Sequence, residues 1–469
     1  MSAEPGLEAI YERYADLFDA EAFQATAPPG DGGADGEGID LRAYLREFLA
    51  IGIEGHRTRA LQDRYLEAES RAVARVDGET IPYRELPVRV RRAEGREHRA
   101  ALEDARLGVV ERTLNPILED SIGIVHGVAE ELLGTSYDRY CERLAGIDFE
   151  ALQSEADRLL EKTRDVHEDL LDWFVRRHLP GVRREDLETH DLARLLYGEP
   201  YRDRFPGGEL VDRLTGPVRA MGIDPTAEGR IEFDLEDRAA KTPRAFCASV
   251  RVPDEVKLVL RPYGGYDDYV TFLHELGHAL HFGYVQADLP MEYRRLGDNG
   301  VTEGYAMTFD HLMHLAPFLR KVVGMGEVEE FLRFQAFRDL VMVRRYCAKL
   351  GYERSLHRKG PGPGRSDEYV ERLSEATGAR APDRLWLEDV DPHFYCVRYL
   401  RAWMLAGAMH RELRERFDDD WFVNPAAGPF LLDLFGLGQA LPADALARER
   451  LAVERLDFGP LLEMIRERI

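Results

Sequence analysis

Over most of the chain apolar positions recur every three to four residues with charged residues between them, the pattern of amphipathic helices. Residues 6–23 read as a first helix. Residues 27–38, Ala-Pro-Pro-Gly-Asp-Gly-Gly-Ala-Asp-Gly-Glu-Gly, hold too few apolar side chains to pack and predict a flexible loop. Helical periodicity with a heavily charged polar face covers 39–76, a short irregular or strand-like piece covers 77–90, and helices resume near Glu97. The clearest period lies in 149–178. There Leu152, Ala156, Leu159, Leu160, Val166, Leu170, Leu171 and Phe174 line one face, and Pro180-Gly181 ends the run.

The texture then changes. Residues 230–235, 245–252 and 256–260 read as short strands, with Pro253-Asp254 as a turn between the second and third. From Tyr266 onward the pattern is helical again, apart from the connector Lys359-Gly-Pro-Gly-Pro-Gly364. The expected fold is mainly α with one small β-sheet, and no repeat or sustained heptad is present. A chain of 469 residues exceeds what one compact core usually supports, so two lobes are expected. The boundary is placed near residue 225, giving a helical lobe 1–225 and a region 226–469 that carries the chemistry, with interleaving of the two in space left open.

That chemistry centres on His274-Glu275-Leu276-Gly277-His278. Residues four apart on a helix lie on one face, so both imidazoles can reach one ion. Zinc accepts neutral imidazole nitrogens, and a catalytic zinc keeps one position for water. Glu275 then stands beside the metal, where a base for that water belongs. Chance gives on the order of 0.05 such motifs per chain of this composition. Val270, Leu273, Gly277 and Leu280 form the stripe a core helix buries, with Gly277 permitting close approach of another element, and the histidine face is expected to look into a cleft. A third ligand is found in Asn299-Gly-Val-Thr-Glu303-Gly-Tyr-Ala-Met307: Asn-Gly makes a turn, Thr302 can cap, and Glu303 falls near the start of the next helix. The apolar neighbours of Glu303 imply that its charge has a partner. Asp310, seven residues on, can orient a ligand histidine, and His281 is read as packing.

Composition narrows the alternatives. Cys141, Cys247, Cys347 and Cys396 form no Cys-x-x-Cys pair, so free thiols are expected and the metal must be held by imidazole and carboxylate. A net charge of −24 argues against nucleic acid as a partner and fits solubility or a salt-adapted host. No apolar run approaches the roughly 18–20 residues of a membrane span, and the start resembles no secretory signal. A soluble, cytoplasmic protein with no membrane partner is expected.

The stretch Tyr266-Asp-Asp-Tyr-Val-Thr-Phe-Leu-His-Glu-Leu-Gly-His-Ala-Leu-His281 resembles the metal helix of the thimet oligopeptidase and oligoendopeptidase F family. Glu303 and Asp310 match that family's spacing, and residues 241–260 resemble its β-segment, which lies along the cleft and is implicated in peptide binding. Asp391-Pro-His-Phe-Tyr-Cys-Val-Arg-Tyr-Leu-Arg-Ala-Trp403 resembles its late His/Tyr-rich segment, with Arg401 and Trp403 where the family often has further tyrosines. Weaker similarity extends through the N-terminal half. The resemblance implies a helical two-lobed metallopeptidase with a small β-sheet next to the active-site cleft, one Zn2+ per chain and short unfolded peptides as substrates. His274, His278 and Glu303 would hold zinc, Glu275 would serve as general base, and His393, Tyr395 and Tyr399 are candidates for steadying the tetrahedral oxyanion. Two other readings stay open. One is a metallocarboxypeptidase of similar helical build, with Arg398 or Arg401 meeting the substrate's C-terminal carboxylate. The other is a catalytically silent helical protein that keeps the metal site, against which the intact Glu275 counts.

Overall fold

The computed structural model describes residues 7–27, 41–236, 238, 241 and 245–469. The Gly/Asp-rich segment expected to be a flexible loop falls almost wholly outside them, as do residues 6 and 39, where the first two helical runs were expected to start. Helices dominate, and the described residues contain a two-stranded and a three-stranded sheet. The chain divides into two compact units: Ser2–Tyr197 with Val341–Cys396, and Gly198–Leu340 with Val397–Ile469.

In the first of these units the long helix α1 spans Leu41–Arg71 and stops short of the expected end at Val76. Val73–Val76 is instead strand β1, paired antiparallel with β2, Glu79–Pro82, in the register Val73↔Pro82 to Val76↔Glu79. Asp77 and Gly78 between them both have positive φ, 51° and 83°, which a two-residue hairpin turn demands. Alternation turns Ala74, Val76 and Ile81 inward. The strongly helical run 149–178 is two helices, α2 Phe149–Lys162 and α3 Arg164–His178. Thr163 at the break leaves the helical region, and buried Arg344 donates to the freed carbonyl of Leu160 (2.6 Å) and to Thr163 Oγ1 (2.7 Å). Leu152, Ala156, Leu159, Leu170, Leu171 and Phe174 are buried, so the apolar face was correctly placed although the break was not.

The second unit holds the three-stranded sheet in the order β3-β5-β4, with β3 Ile231–Asp234, β4 Phe246–Arg251 and β5 Glu255–Val259. β3 and β4 lie inside their expected ranges, and β5 is shifted one residue toward the N-terminus of its own. β3 runs parallel to the central β5, and β4 runs antiparallel to it. Buried Lys241 ties the ends of β3 and β5 together, its Nζ donating to the carbonyls of Asp234 (2.7 Å) and Leu260 (2.9 Å). Helix α4, Tyr266–Gly283, lies against this sheet, with the rings of Phe233 and Phe272 edge to face at 5.7 Å.

Helix α5, Asn299–Asp310, crosses α4 at very short range. A Cβ on Gly277 would stand 2.6 Å from the Cα of Ala306 and 2.9 Å from the carbonyl of Tyr305, so only glycine fits there. α5 makes a second close contact at Gly304, where a Cβ would meet the side chain of Leu405 on α6, Tyr395–Phe417, at 2.6 Å. Overpacking of this kind costs about 1–3 kcal/mol. Gly277→Ala is therefore expected to lower the unfolding free energy by that order, read as a lower midpoint in a denaturant melt, and an unchanged midpoint would show that the two helices can separate freely.

Candidate metal centre and active site

Gly277 sets the distance between α4 and α5, and the residues on either side of it, His274 and His278, face Glu303 on the opposite helix. His274 Nε2 is 3.3 Å and His278 Nε2 3.6 Å from Glu303 Oε2, and one donor atom from each of the three residues lies within 4.8 Å of the others. Bonds of about 2.0–2.2 Å to a tetrahedral zinc place neighbouring donors roughly 3.4 Å apart, so the spacing and the chemistry of the set both fit that ion.

The second ring nitrogens are held. His274 Nδ1 is 2.8 Å from Asp310 Oδ2. A carboxylate only accepts, so Nδ1 carries a hydrogen toward Asp310, and Nε2 is the nitrogen left to face an ion shared with Glu303. His278 Nδ1 is 2.9 Å from Thr302 Oγ1, and with Nε2 on an ion it would be the donor of that hydrogen bond. Thr302 had been expected to cap α5. That cap is Asp298, whose Oδ1 accepts from Gly300 N at 2.9 Å and which lies one residue before the helix; Thr302 is already inside the helix and free to serve the histidine.

The electrostatics favour positive charge at this point. Burial pushes the Glu303 carboxyl up, but the His278 and His274 imidazoles outweigh it and hold Glu303 well below the usual carboxylate range. Burial lowers the basicity of His274, and Asp310 and Glu303 overcome it and raise it well above the ordinary histidine value. Asp310 itself is pushed up to about 6, by burial against the pull of His274. His281 is fully buried, donates from Nε2 to the carbonyl of Gly438 at 3.2 Å, and is kept neutral by burial with a pKa of about 3; it packs, as expected.

Asp298 anchors the start of α5. Arg398 and Arg401 of α6 donate to its two oxygens at 2.6 and 3.0 Å, and the backbone N–H of Ala443 adds a third contact at 3.0 Å. All three side chains are buried. Burial opposes ionisation of Asp298, but Arg401 and Arg398 outweigh it and depress its pKa far below the usual carboxylate value. The Asp immediately before Asn-Gly is a legible N-cap signal that the sequence reading passed over.

Of the expected catalytic residues, Glu275 lies half-buried on α4 between the two histidines. Tyr399 belongs to the same unit and packs, half-buried, against Met307, Ala402 and Ala406. His393 and Tyr395 belong to the other unit. There His393, at a positive φ of 54°, sets Nδ1 3.3 Å from Glu54 Oε2 and 3.4 Å from the Tyr137 hydroxyl. The four cysteines are free, and among the described residues no helix is long and apolar enough to cross a membrane.

No protein-family model matches this sequence, and no curated protein matches it. Solved structures do match in three dimensions. Pz peptidase A with an inhibitor superposes with a TM-score of 0.66 at 14% identity, over 99% of this chain and 85% of that one. A protein described as an oligoendopeptidase F gives 0.66 at 14%, over 100% and 84%, and a peptidase from Chlamydophila abortus gives 0.66 at 14%, over 98% and 81%. The fold is that of the oligoendopeptidase structures. The mainly helical architecture expected from the sequence is the one found, and it matches the helical fold of these structures.

Two outcomes are expected from the second layer of contacts. Thr302→Val keeps shape but removes the hydroxyl, and should weaken zinc affinity about 10–100-fold in a competition titration, with Thr302→Ser retaining it. Asp298→Asn strips two buried arginines of their counter-charge and should cost about 3–5 kcal/mol near pH 7. Because the folded-state pKa of Asp298 is depressed, its contribution is present above the unfolded value of about 3.9 and lost as pH falls. The gap between wild type and Asp298→Asn, read from denaturant melts, should therefore narrow below about pH 4.

Proposed function

We propose that this chain is a cytoplasmic zinc-dependent oligopeptidase that hydrolyses internal bonds of short, unfolded peptides. The observation that carries the reading is the convergence of two imidazole Nε2 atoms on the Glu303 carboxylate at tetrahedral-ligand spacing, with Glu275 adjacent on the same helix. The likeness of fold to peptidase structures supports it.

His274, His278 and Glu303 would hold the ion, and Asp310 and Thr302 would fix the imidazole orientations. When bound, zinc supplies Lewis-acid polarisation of the peptide carbonyl and lowers the pKa of a coordinated water. Glu275 takes a proton onto its carboxylate as water attacks the scissile carbonyl, and delivers a proton to the leaving amine. His393, Tyr395 and Tyr399 are the proposed donors to the tetrahedral oxyanion, on the sequence resemblance. An extended substrate would add to the outer edge of β4, which pairs with β5 on its other side. The carboxypeptidase alternative loses its expected anchor, because Arg398 and Arg401 are buried against Asp298.

The test is hydrolysis of an internally quenched peptide blocked at both ends, by wild type and by Glu275→Gln, with zinc measured on both. Cleavage by wild type and a loss of at least about a hundredfold in the zinc-retaining variant is expected. Zinc bound without cleavage of blocked peptides would move the reading to an exopeptidase, and absence of zinc would remove the site.

A further inference from the structure

The outer edge of β4, in the sheet beside α4, meets the guanidinium of Arg295. In β5, Val256 N–H donates to the carbonyl of Arg230 at 2.9 Å, and Leu260 N–H donates to that of Asp234 at 3.1 Å. The even-numbered backbone groups of β5 therefore face β3, and Lys257 and Val259 face β4. Their antiparallel partners are Ala248 and Phe246. Bonding alternates along an antiparallel pair, so Cys247 and Ser249 turn their N–H and C=O groups away from β5, toward the free edge.

One of those edge groups is already engaged. Arg295 donates from Nη1 to the carbonyl and to the hydroxyl of Ser249. Among the described residues no carboxylate pairs with Arg295 and no other hydrogen bond uses its guanidinium, and the residue is exposed in a chain of net charge −24. Two residues back along the same edge, the Cys247 thiol is pushed up by burial and by the charge of Glu275, and pulled the other way by Arg295. Cys247 thus lies within the fields of both groups. At about 3.4 Å per residue, the level of Ser249 is roughly 7 Å along the edge from that of Cys247.

We infer that Arg295 is a specificity-determining residue that receives a substrate carboxylate about two residues along the β4 edge from the residue opposite Cys247. Nε and Nη2 offer the planar fork that pairs with a carboxylate, while Nη1 stays on Ser249. The preferred substrate is a peptide with an acidic side chain near the scissile bond. This rests on the peptidase reading of the same site, and it is tested by binding so that it does not depend on turnover.

Peptides blocked at both ends and differing only in one Glu, Gln or Lys, scanned over three positions on each side of a central bond, are titrated by fluorescence anisotropy against zinc-loaded Glu275→Gln. At one position Glu should bind at least about tenfold tighter than Gln, and Lys weaker than both. Adding Arg295→Gln should erase the difference, and Arg295→Glu should reverse it in favour of Lys, a reversal that a purely structural edge cover would not produce. Equal affinities for Glu and Gln at every position, or a Glu preference that survives Arg295→Gln, would overturn the inference. A matched set with free C-terminal carboxylates separates the sources: a preference that follows the free terminus and ignores internal Glu also overturns it. Hydrolysis of the same peptides by wild type reports separately on the peptidase reading.

Discussion

The backbone contact between Gly277 and Ala306 is the constraint on which the rest of the site depends. A helix carrying two imidazoles and a helix carrying a carboxylate can share one ion only if their axes come unusually close. The absent side chain at Gly277 permits that approach, and the missing one at Gly304 lets α6 close on the far side of α5. Asp298 then fixes where α5 begins, and so which residue of that helix faces His274 and His278. Small side chains and one buried ion-pair cluster thus set a geometry that the donor residues alone could not enforce.

Charge completes the picture. Two carboxylates, buried Glu303 and half-buried Asp310, surround two imidazoles, and desolvation works against the charge of each. Groups held in that state ask for a cation among them, and a divalent ion with two anionic neighbours gives a locally neutral cluster. The two histidines are supported differently, one by a carboxylate and one by a hydroxyl. The carboxylate-backed His274 is the stronger donor of the pair.

The site was legible where its geometry is local. The spacing of His274 and His278, the Gly between them and the periodicity around them fix one face of one helix, and the three strands were bounded by turn residues in the sequence. Glu303 and Asp310 were reachable because both lie on the next substantial helix. Part of what was missed depends on partners far along the chain: the break at Thr163 is supported by Arg344. The cap at Asp298 is a local signal, an Asp before Asn-Gly, and only its anchoring by Arg398 and Arg401 is distant in sequence. The hairpin at Asp77-Gly78 was a local signal overridden by the helical periodicity before it. Arg295 could not be singled out at all, because nothing in its neighbourhood in sequence says that it meets the edge of β4.

The most direct measurement is X-ray absorption at the zinc K-edge of the purified, zinc-loaded protein. The account predicts a first shell of about four light-atom ligands near 2.0–2.1 Å, with the multiple-scattering signature of two imidazoles and no sulfur at 2.3 Å. A sulfur shell, a single imidazole, or zinc that washes out at stoichiometric loading would contradict it.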